Sequence, residues 1–338
     1  MVRHGVEQRP QVGPAVSVIT PTLNRLSFLR RALESLASQT YGDFEAVVVV
    51  DGPSPDLAEF VAGHPDPRVR LVQRETTGGT AAARNSGLEV ARGHYVGFLD
   101  DDDLWLPTKL ERQVPLLDAG EDVVHALVCV ADEDGRVDDE PTERGFRLFR
   151  EVAAAGYPYV WLLRRSSYQI SSFLVRRECV DAVGGFDPML SGIDDIAFVH
   201  ELWRRYRLHL VDEALTKYCF HATNQGFTKD PTPWIRFAER ELAWIAQSDP
   251  PQREACEAYL WMQIAQAEWI RRAYGRTLAP AWRSRRLDRS VVSGKTLLKY
   301  GLGALVPPLV DASRRRARRA RIPSQPNPWL DFPTPIPV

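Results

Sequence analysis

Tyr95-Val-Gly-Phe-Leu-Asp-Asp-Asp-Asp-Leu-Trp105 carries an apolar strand pattern straight into four consecutive carboxylates. Like charges this close raise one another's pKa unless something positive sits among them, and a divalent cation is the natural partner. Hard oxygen ligands suit Mg2+ or Mn2+, and Mg2+ in particular is held by one or two carboxylates, with water and substrate phosphates completing its shell. The carboxyl ends of strands in open α/β sheets are also where ligands bind. Without a ligand the same run reads as a solvated acidic loop, or as the start of a helix over Leu104–Leu117 whose dipole favours aspartates. A calcium loop of the EF-hand type is excluded, because the glycine its sharp turn needs would fall at Trp105.

Outward from this run, short β-branched stretches alternate with helical patterns, the sequence form of a largely parallel α/β sheet. Ala15–Thr20 predicts the first strand, ended by Pro21, and a helix follows from about Ser27 with Phe28, Leu29, Ala32, Leu33 and Leu36 on one face. Glu45–Val50 reads as a strand covered on both sides, ending in the turn cluster Asp51-Gly-Pro-Ser-Pro55. A third strand is predicted near Val69–Gln73, a helix near Thr80–Ala91, further apolar segments at Val123–Val130 and Ile170–Val175, and an acidic loop at Asp132–Glu143. Past residue 221 strands give way to amphipathic helices at Trp234–Gln247 and Glu254–Tyr274, whose apolar faces predict packing on the rest of the chain or on a second copy in a homodimer.

The chain has 338 residues, with 43 basic and 44 acidic side chains. That is length enough for a sizeable core, and the composition excludes wholesale disorder and argues against a nucleic-acid binder. The balance conceals a split: residues 1–220 hold 24 basic and 34 acidic groups, while residues 270–338 hold 15 and 3. Leucines and valines from Leu297 to Val310 lead into Arg314-Arg-Arg-Ala-Arg-Arg-Ala-Arg321. Over 301–321 this basic amphipathic arrangement suits peripheral contact with an anionic membrane, and a Pro-rich tail closes the chain. No aromatic residue is interleaved with those arginines, which disfavours an RNA arm. Four scattered cysteines predict a reducing, cytoplasmic compartment, and the sequence shows neither a signal region nor an apolar run near the ~20 residues of a membrane span.

Five stretches together resemble the family 2 glycosyltransferases, nucleotide-sugar-dependent enzymes of the GT-A fold. They are Val16-Ser-Val-Ile-Thr-Pro-Thr-Leu-Asn24, Val48–Asp56, Ala83-Arg-Asn-Ser-Gly87, the Tyr95–Trp105 run, and Gly184-Gly-Phe-Asp187 followed by Asp194-Asp195. The resemblance implies an α/β catalytic domain over 15–222, a Rossmann-like, mixed but mostly parallel sheet flanked by helices. Its nucleotide-sugar half spans 15–106 and its acceptor half 107–222, between an N-terminal tail (1–14) and a helical region (223–300) that leads into the basic, Pro-rich tail (301–338).

The resemblance also implies roles. Thr20, Pro21, Thr22 and Asn24 would lie along the nucleotide, and Asp51 would hydrogen-bond the base. Asp51-Gly-Pro-Ser54 departs from the family's Asp-Asp-Gly-Ser, so the base stays open. Arg84 and Asn85 would face the diphosphate, where a guanidinium suits phosphate oxygens. Asp100 and Asp102 match the D-x-D motif, Asp102 as the metal ligand and Asp100 facing ribose and sugar, with Asp101 beside them. Asp103 is a further metal candidate, since four aspartates in a row leave the register open by one. Asp195 matches the base that takes the acceptor's proton in an inverting transfer, and Asp194 stands where the family has glutamate. Read from the residues alone, this pair could equally cap a helix over Ile196–Tyr206. His221 would complete the metal shell or meet the diphosphate.

The implied donor is a UDP- or dTDP-sugar and the acceptor a glycan, a lipid-linked or a small molecule, with Tyr157, Tyr159, Trp161 and Tyr168 expected to contact it. A nucleotidyltransferase is opposed by the lack of a lysine-bearing glycine-rich loop near the first strand. A non-catalytic sugar-nucleotide-binding module is opposed by the intact carboxylate sets.

Overall fold

The computed structural model describes residues 13–164, 168–221, 230–292 and 294–305; the Arg314–Arg321 run, the Pro-rich tail and residues 1–12 lie outside them. The chain divides into two compact units, Met1–Tyr157 with Tyr168–Gln225, and Pro158–Ser167 with Gly226–Val338. The first contains β1 (Val16–Thr22), α1 (Leu26–Ala37), β2 (Phe44–Val50), α2 (Pro55–Ala62), β3 (Val69–Gln73), α3 (Gly79–Val90), β4 (Tyr95–Phe98), β5 (Leu104–Trp105), α4 (Lys109–Asp118), β6 (Val123–Ala131) and α5 (Asp139–Ala154). After α6 (Tyr159–Arg164), which belongs to the second unit, it resumes with β7 (Leu174–Arg176), α7 (Arg177–Val183), α8 (Asp194–Arg205) and β8 (Leu208–Cys219).

The strands form one mixed sheet in the order β3-β2-β1-β4-β7-β6-β8-β5. Four of its seven pairings are parallel and three antiparallel, so the expected mixed, mostly parallel sheet is what forms. Every residue of β1 and β2 is buried, as strands covered on both faces require. Leu29, Ala32, Leu33 and Leu36 of α1 close on Val16, Val18, Ala46 and Val48.

Register decides where the aspartates go. β1 pairs with β4 from Val16 to Ile19 but with β2 as far as Thr22. Pro21 therefore does not end the strand: it lies past the last rung to β4, where β1 has one neighbour and a missing N–H is tolerated. The run after β4 turns alongside the protruding end of β1.

Three local expectations change. The helix predicted from Leu104 starts at Lys109, because Leu104 and Trp105 pair with β8 instead. Part of the predicted acidic loop is the first turn of α5, where Asp139 and Glu140 meet a helix N-terminus that favours them. The segment Ile170–Val175 splits into a 3-10 turn over Ile170–Ser172 and the strand β7.

Three of the four aromatic residues expected at an acceptor are core residues. Tyr157 and Tyr168 are 7% and 6% exposed. They surround His125 of β6, which shares a 2.9 Å hydrogen bond with the Tyr157 hydroxyl and stacks on Phe173 at 5.2 Å. Tyr159 is buried within the second unit and donates to Glu241; the Trp161 side chain lies outside the described set.

Burial, with the Lys109 and His209 charges adding, pushes His125 down to about 3. Between about pH 6.5 and 3 the unfolded chain binds a proton that native His125 refuses, so this group loses stability as pH falls, by about 1.4 kcal/mol per pH unit once well inside that window. Urea titrations at pH 6, 5 and 4 should show the native protein declining more steeply than His125→Asn by that one-proton slope. Parallel declines would remove the assignment.

The second unit also contains α9 (Thr232–Ser248), α10 (Arg253–Ile270), α11 (Leu278–Leu287) and α12 (Gly294–Leu305). Trp244 of α9 lies on Tyr159 at 4.7 Å, and Trp269 of α10 meets Tyr274 and Tyr300 at 4.8 and 5.1 Å. The aromatic faces of these helices thus close on one another within the unit. Among the described residues no helix is long and apolar enough to cross a membrane.

Candidate active site

β2, β1 and β4 are parallel neighbours, so their carboxyl ends share one edge of the sheet, the edge that binds ligands in α/β folds. At the protruding end of β1, Thr22 Oγ1 donates to Asp101 Oδ2 at 2.7 Å. Asn24 then adopts a left-handed φ of 55°, a region asparagine tolerates better than most residues. The turn brings Arg25 back over the run, where its Nη1 donates to Asp102 Oδ2 at 2.7 Å and its Nη2 pairs with Asp101.

A turn closed by Asp103 N donating to Asp100 O at 3.0 Å sorts the four carboxylates. Asp101, 1% exposed, is engaged by Thr22 and Arg25. Asp100, Asp102 and Asp103 each offer an oxygen within 4.8 Å of the others. Asp103 accepts from Ser171 Oγ at 2.7 Å and from Cys219 N at 3.3 Å. Asp102 faces His221 Nε2 at 3.0 Å, and that imidazole stacks on Phe28 at 4.5 Å. Beneath them Lys109, fully buried, donates to Ser172 O and Gln113 Oε1 at 2.7 and 2.6 Å and so anchors the turn that presents Ser171.

Burial pushes Asp100 and Asp103 upward with the Asp102 charge adding, and raises Asp101 to about 7 against the pull of Arg25. Asp102 goes the other way: burial opposes ionisation, but the His221 hydrogen bond and the Arg25 charge hold it below the usual range. The group is therefore short of positive charge at Asp103, whereas Arg84 pulls Asp100 back, and an all-carboxylate set fits a hard divalent cation such as Mg2+ or Mn2+.

Arg84 of α3, 3% exposed, ties this group to a second carboxylate pair. Its Nη2 donates to Asp100 Oδ1 at 2.5 Å and its Nη1 to Asp194 Oδ2 at 2.6 Å. Asp194, 1% exposed, also accepts from Thr80 Oγ1 at 2.7 Å and Gly192 N at 2.9 Å. Asp195 is half-buried. Desolvation pushes it up to about 7, the Asp194 and Asp100 charges adding and Arg84 opposing.

Aromatic packing aims α8 at this spot: Phe186 stacks on Phe198 of α8 at 4.4 Å and meets Phe98 of β4 edge-on at 5.0 Å. The Gly-Gly before Phe186 is required by shape. Gly184 and Gly185 have φ of 82° and 69°, and a Cβ on Gly185 would come within 2.8 Å of Asn85 Oδ1.

The structure thus brings together Thr22, Asp100 to Asp103, Arg84, Asp194, Asp195 and His221. The other expected site residues lie in the elements around this group. Thr20 and Pro21 are buried inside β1 instead of lining a loop, and the Thr20 hydroxyl has no hydrogen-bond partner among the described residues. Both ends of the Asn85 amide bind the Phe186 backbone, at 2.8 and 2.9 Å, so Asn85 holds the Gly-Gly-Phe turn. Asp51 accepts from Arg74 Nε at 2.8 Å and from Gly78 and Gly79 N at 3.0 and 2.7 Å, anchoring the start of α3.

Sequence reasoning misses Arg25, Arg74, Thr80 and Ser171. Only Arg25 leaves a legible signal, as a cation in the loop after the first strand of a chain whose four aspartates need one. The other three meet their carboxylates across 23, 114 and 68 positions and belong to no motif.

The family model described as glycosyl transferase family 2 matches residues 17–181. An Escherichia coli protein, the UDP-Glc:alpha-D-GlcNAc-diphosphoundecaprenol beta-1,3-glucosyltransferase WfgD, is 35% identical over 102 residues, 30% of this chain and 40% of that protein. TarS 1-349 from S. aureus, solved with UDP-GlcNAc, is similar with a TM-score of 0.61 at 18% identity, over 86% of this chain and 88% of that one. Mannosyltransferase PcManGT from Pyrobaculum calidifontis, solved with GDP-Man and Mn2+, has a TM-score of 0.51 at 21% identity, over 91% and 85%. At these identities the two structures speak for the fold.

Proposed function

The chain belongs to glycosyl transferase family 2 through its residues 17–181 and has the GT-A fold, and from that premise we propose that this enzyme moves a sugar from a UDP- or dTDP-linked donor to an acceptor hydroxyl, inverting the anomeric carbon. The observation that carries the reading is Arg84. One guanidinium holds Asp100 of the aspartate group and Asp194 beside Asp195, so the diphosphate end and the acceptor end of a displacement would meet adjoining carboxylates. WfgD and TarS, with UDP-linked sugars in their descriptions, support a uridine donor, and WfgD supports a lipid-linked acceptor. PcManGT, solved with Mn2+, supports a metal.

Asp100, Asp102 and Asp103 would hold the divalent cation, with His221 oriented on Asp102. Such an ion, when bound, neutralises the charge that grows on a departing diphosphate. Asp195 takes the proton from the acceptor hydroxyl as its oxygen attacks the anomeric carbon opposite the leaving group, and a single displacement of this kind inverts the centre. A base near 7 is matched to neutral pH, where about half of it is ionised and it is still basic. Asp194, already engaged by Arg84, Thr80 and Gly192, positions its neighbour and is not the base.

Thermal melts with UDP, dTDP and GDP, each with and without Mn2+, test the reading. A ligand at 100 times its Kd adds about 2.7 kcal/mol, and the shift should appear with UDP or dTDP and depend on Mn2+. No metal-dependent shift with any of the three would sink the proposal, and product of retained configuration would sink inversion.

A further inference from the structure

The outward sides of α11 and α12 have a composition that packing among the described residues of the second unit does not explain. Ala281 and Ser284 are fully buried, and Ala281 packs in the cluster of Trp269, Tyr274 and Tyr300, which fixes the inward side of α11. On the opposite side Leu278, Trp282 and Arg286 follow at i, i+4 and i+8, one stripe along the helix, with exposed Arg289 just past its end. Trp282 is 56% exposed and Leu278 39%; α12 adds Leu298 at 64% and an exposed Lys295, and the end of α10 adds Ile270 at 42%. Residues 270–305 hold nine basic side chains and one acidic.

Exposed apolar side chains set among arginines, with almost no acid, are the chemistry of an interfacial face. An indole is at home at headgroup depth, and arginine stems can lie along apolar surface while their guanidinium groups reach phosphates. A second copy of this chain fits poorly, because two faces of the same sign would repel. The Arg314–Arg321 run, which follows α12 in the sequence, continues the same charge.

We propose that the outward face of α11 and α12 is a docking surface for an anionic lipid membrane, with Trp282 and Leu298 entering the interface and Arg286 and Arg289 meeting the headgroups. This inference stands apart from the transferase reading and is tested without substrate. The full chain should sediment with vesicles containing phosphatidylglycerol, not with phosphatidylcholine alone, and added salt should release it. Trp282→Ala with Leu298→Ala should raise the lipid concentration for half-binding at least tenfold, the weight of about one apolar side chain fully withdrawn from water, since both are already partly covered in the folded chain. Arg286→Glu with Arg289→Glu should do the same, and both double variants should melt as the native chain does. Equal binding to both vesicle types would overturn the proposal, as would native-like binding by both variants. Retention on polyuridylate resin that the same variants lose would give the face to nucleic acid instead.

Discussion

Asp195→Asn should lower kcat by about 10³ to 10⁴, the upper range of what a positioned general base contributes. The replacement keeps the size of the side chain and its place at the start of α8, so melting and the Mn2+-dependent nucleotide shift should stay close to native. The pH profile supplies the sharper evidence. Asp195 must be ionised to accept a proton, and desolvation with the Asp194 and Asp100 charges raises it to about 7. In the native enzyme kcat/KM should therefore climb with pH through about 7 and level off above it, and in Asp195→Asn that limb should be gone. Asp194→Asn, which touches the positioning residue, should keep a limb at a lower rate, moved to lower pH because the Asp194 charge no longer raises Asp195. An Asp195→Asn enzyme within tenfold of native would assign the base elsewhere.

The second large effect is expected from Arg84→Met. Arg84 is buried and bonded to Asp100 and Asp194, of which Asp194 is buried as well. Removing one partner from a buried ion pair costs about 3–5 kcal/mol, because a charge is left without compensation. Asp100 keeps 27% of its side chain exposed, and solvent there places the expected loss toward the lower figure. The sign with pH is specific. Without the guanidinium Asp100, already pushed up by burial, rises further above its unfolded value, so the native variant binds a proton the unfolded chain does not, and its stability falls as pH rises. The gap between native and variant in urea titrations should be wider at pH 8 than at pH 5. A pH-independent gap, or one below about 1 kcal/mol, would mean that the pairing is not what holds these carboxylates.

The same residues show how far the site was legible. The Asp100–Asp103 run and Asp194-Asp195 stand out because carboxylates adjacent in sequence repel whatever the fold does. Their division of labour does not stand out. Asp101 is withdrawn from the group by Thr22, 79 positions away, and Asp102 is held by His221 at 119. Asp194 is taken by Arg84 at 110, which leaves Asp195 as the half-buried carboxyl of the pair. Tyr157 and Tyr168 read as acceptor contacts because aromatic residues in a stretch without a motif look alike whether they face solvent or core; His125 and Phe173 turn them inward.

What this sequence determined by itself is the alternation of strands and helices, the placement of two carboxylate sets at strand and helix ends, and the concentration of positive charge toward the C-terminus. These are properties of neighbours along the chain: side-chain period, turn chemistry and like-charge repulsion all act over a few residues. Tertiary structure alone decided that β1 overshoots β4, that Arg25 and Arg84 rather than solvent answer the aspartates, and that Leu278, Trp282 and Arg286 share one outward stripe. Burial sets the strength of each charge interaction and rigid packing sets its partner, and both exist only once distant segments have been brought together.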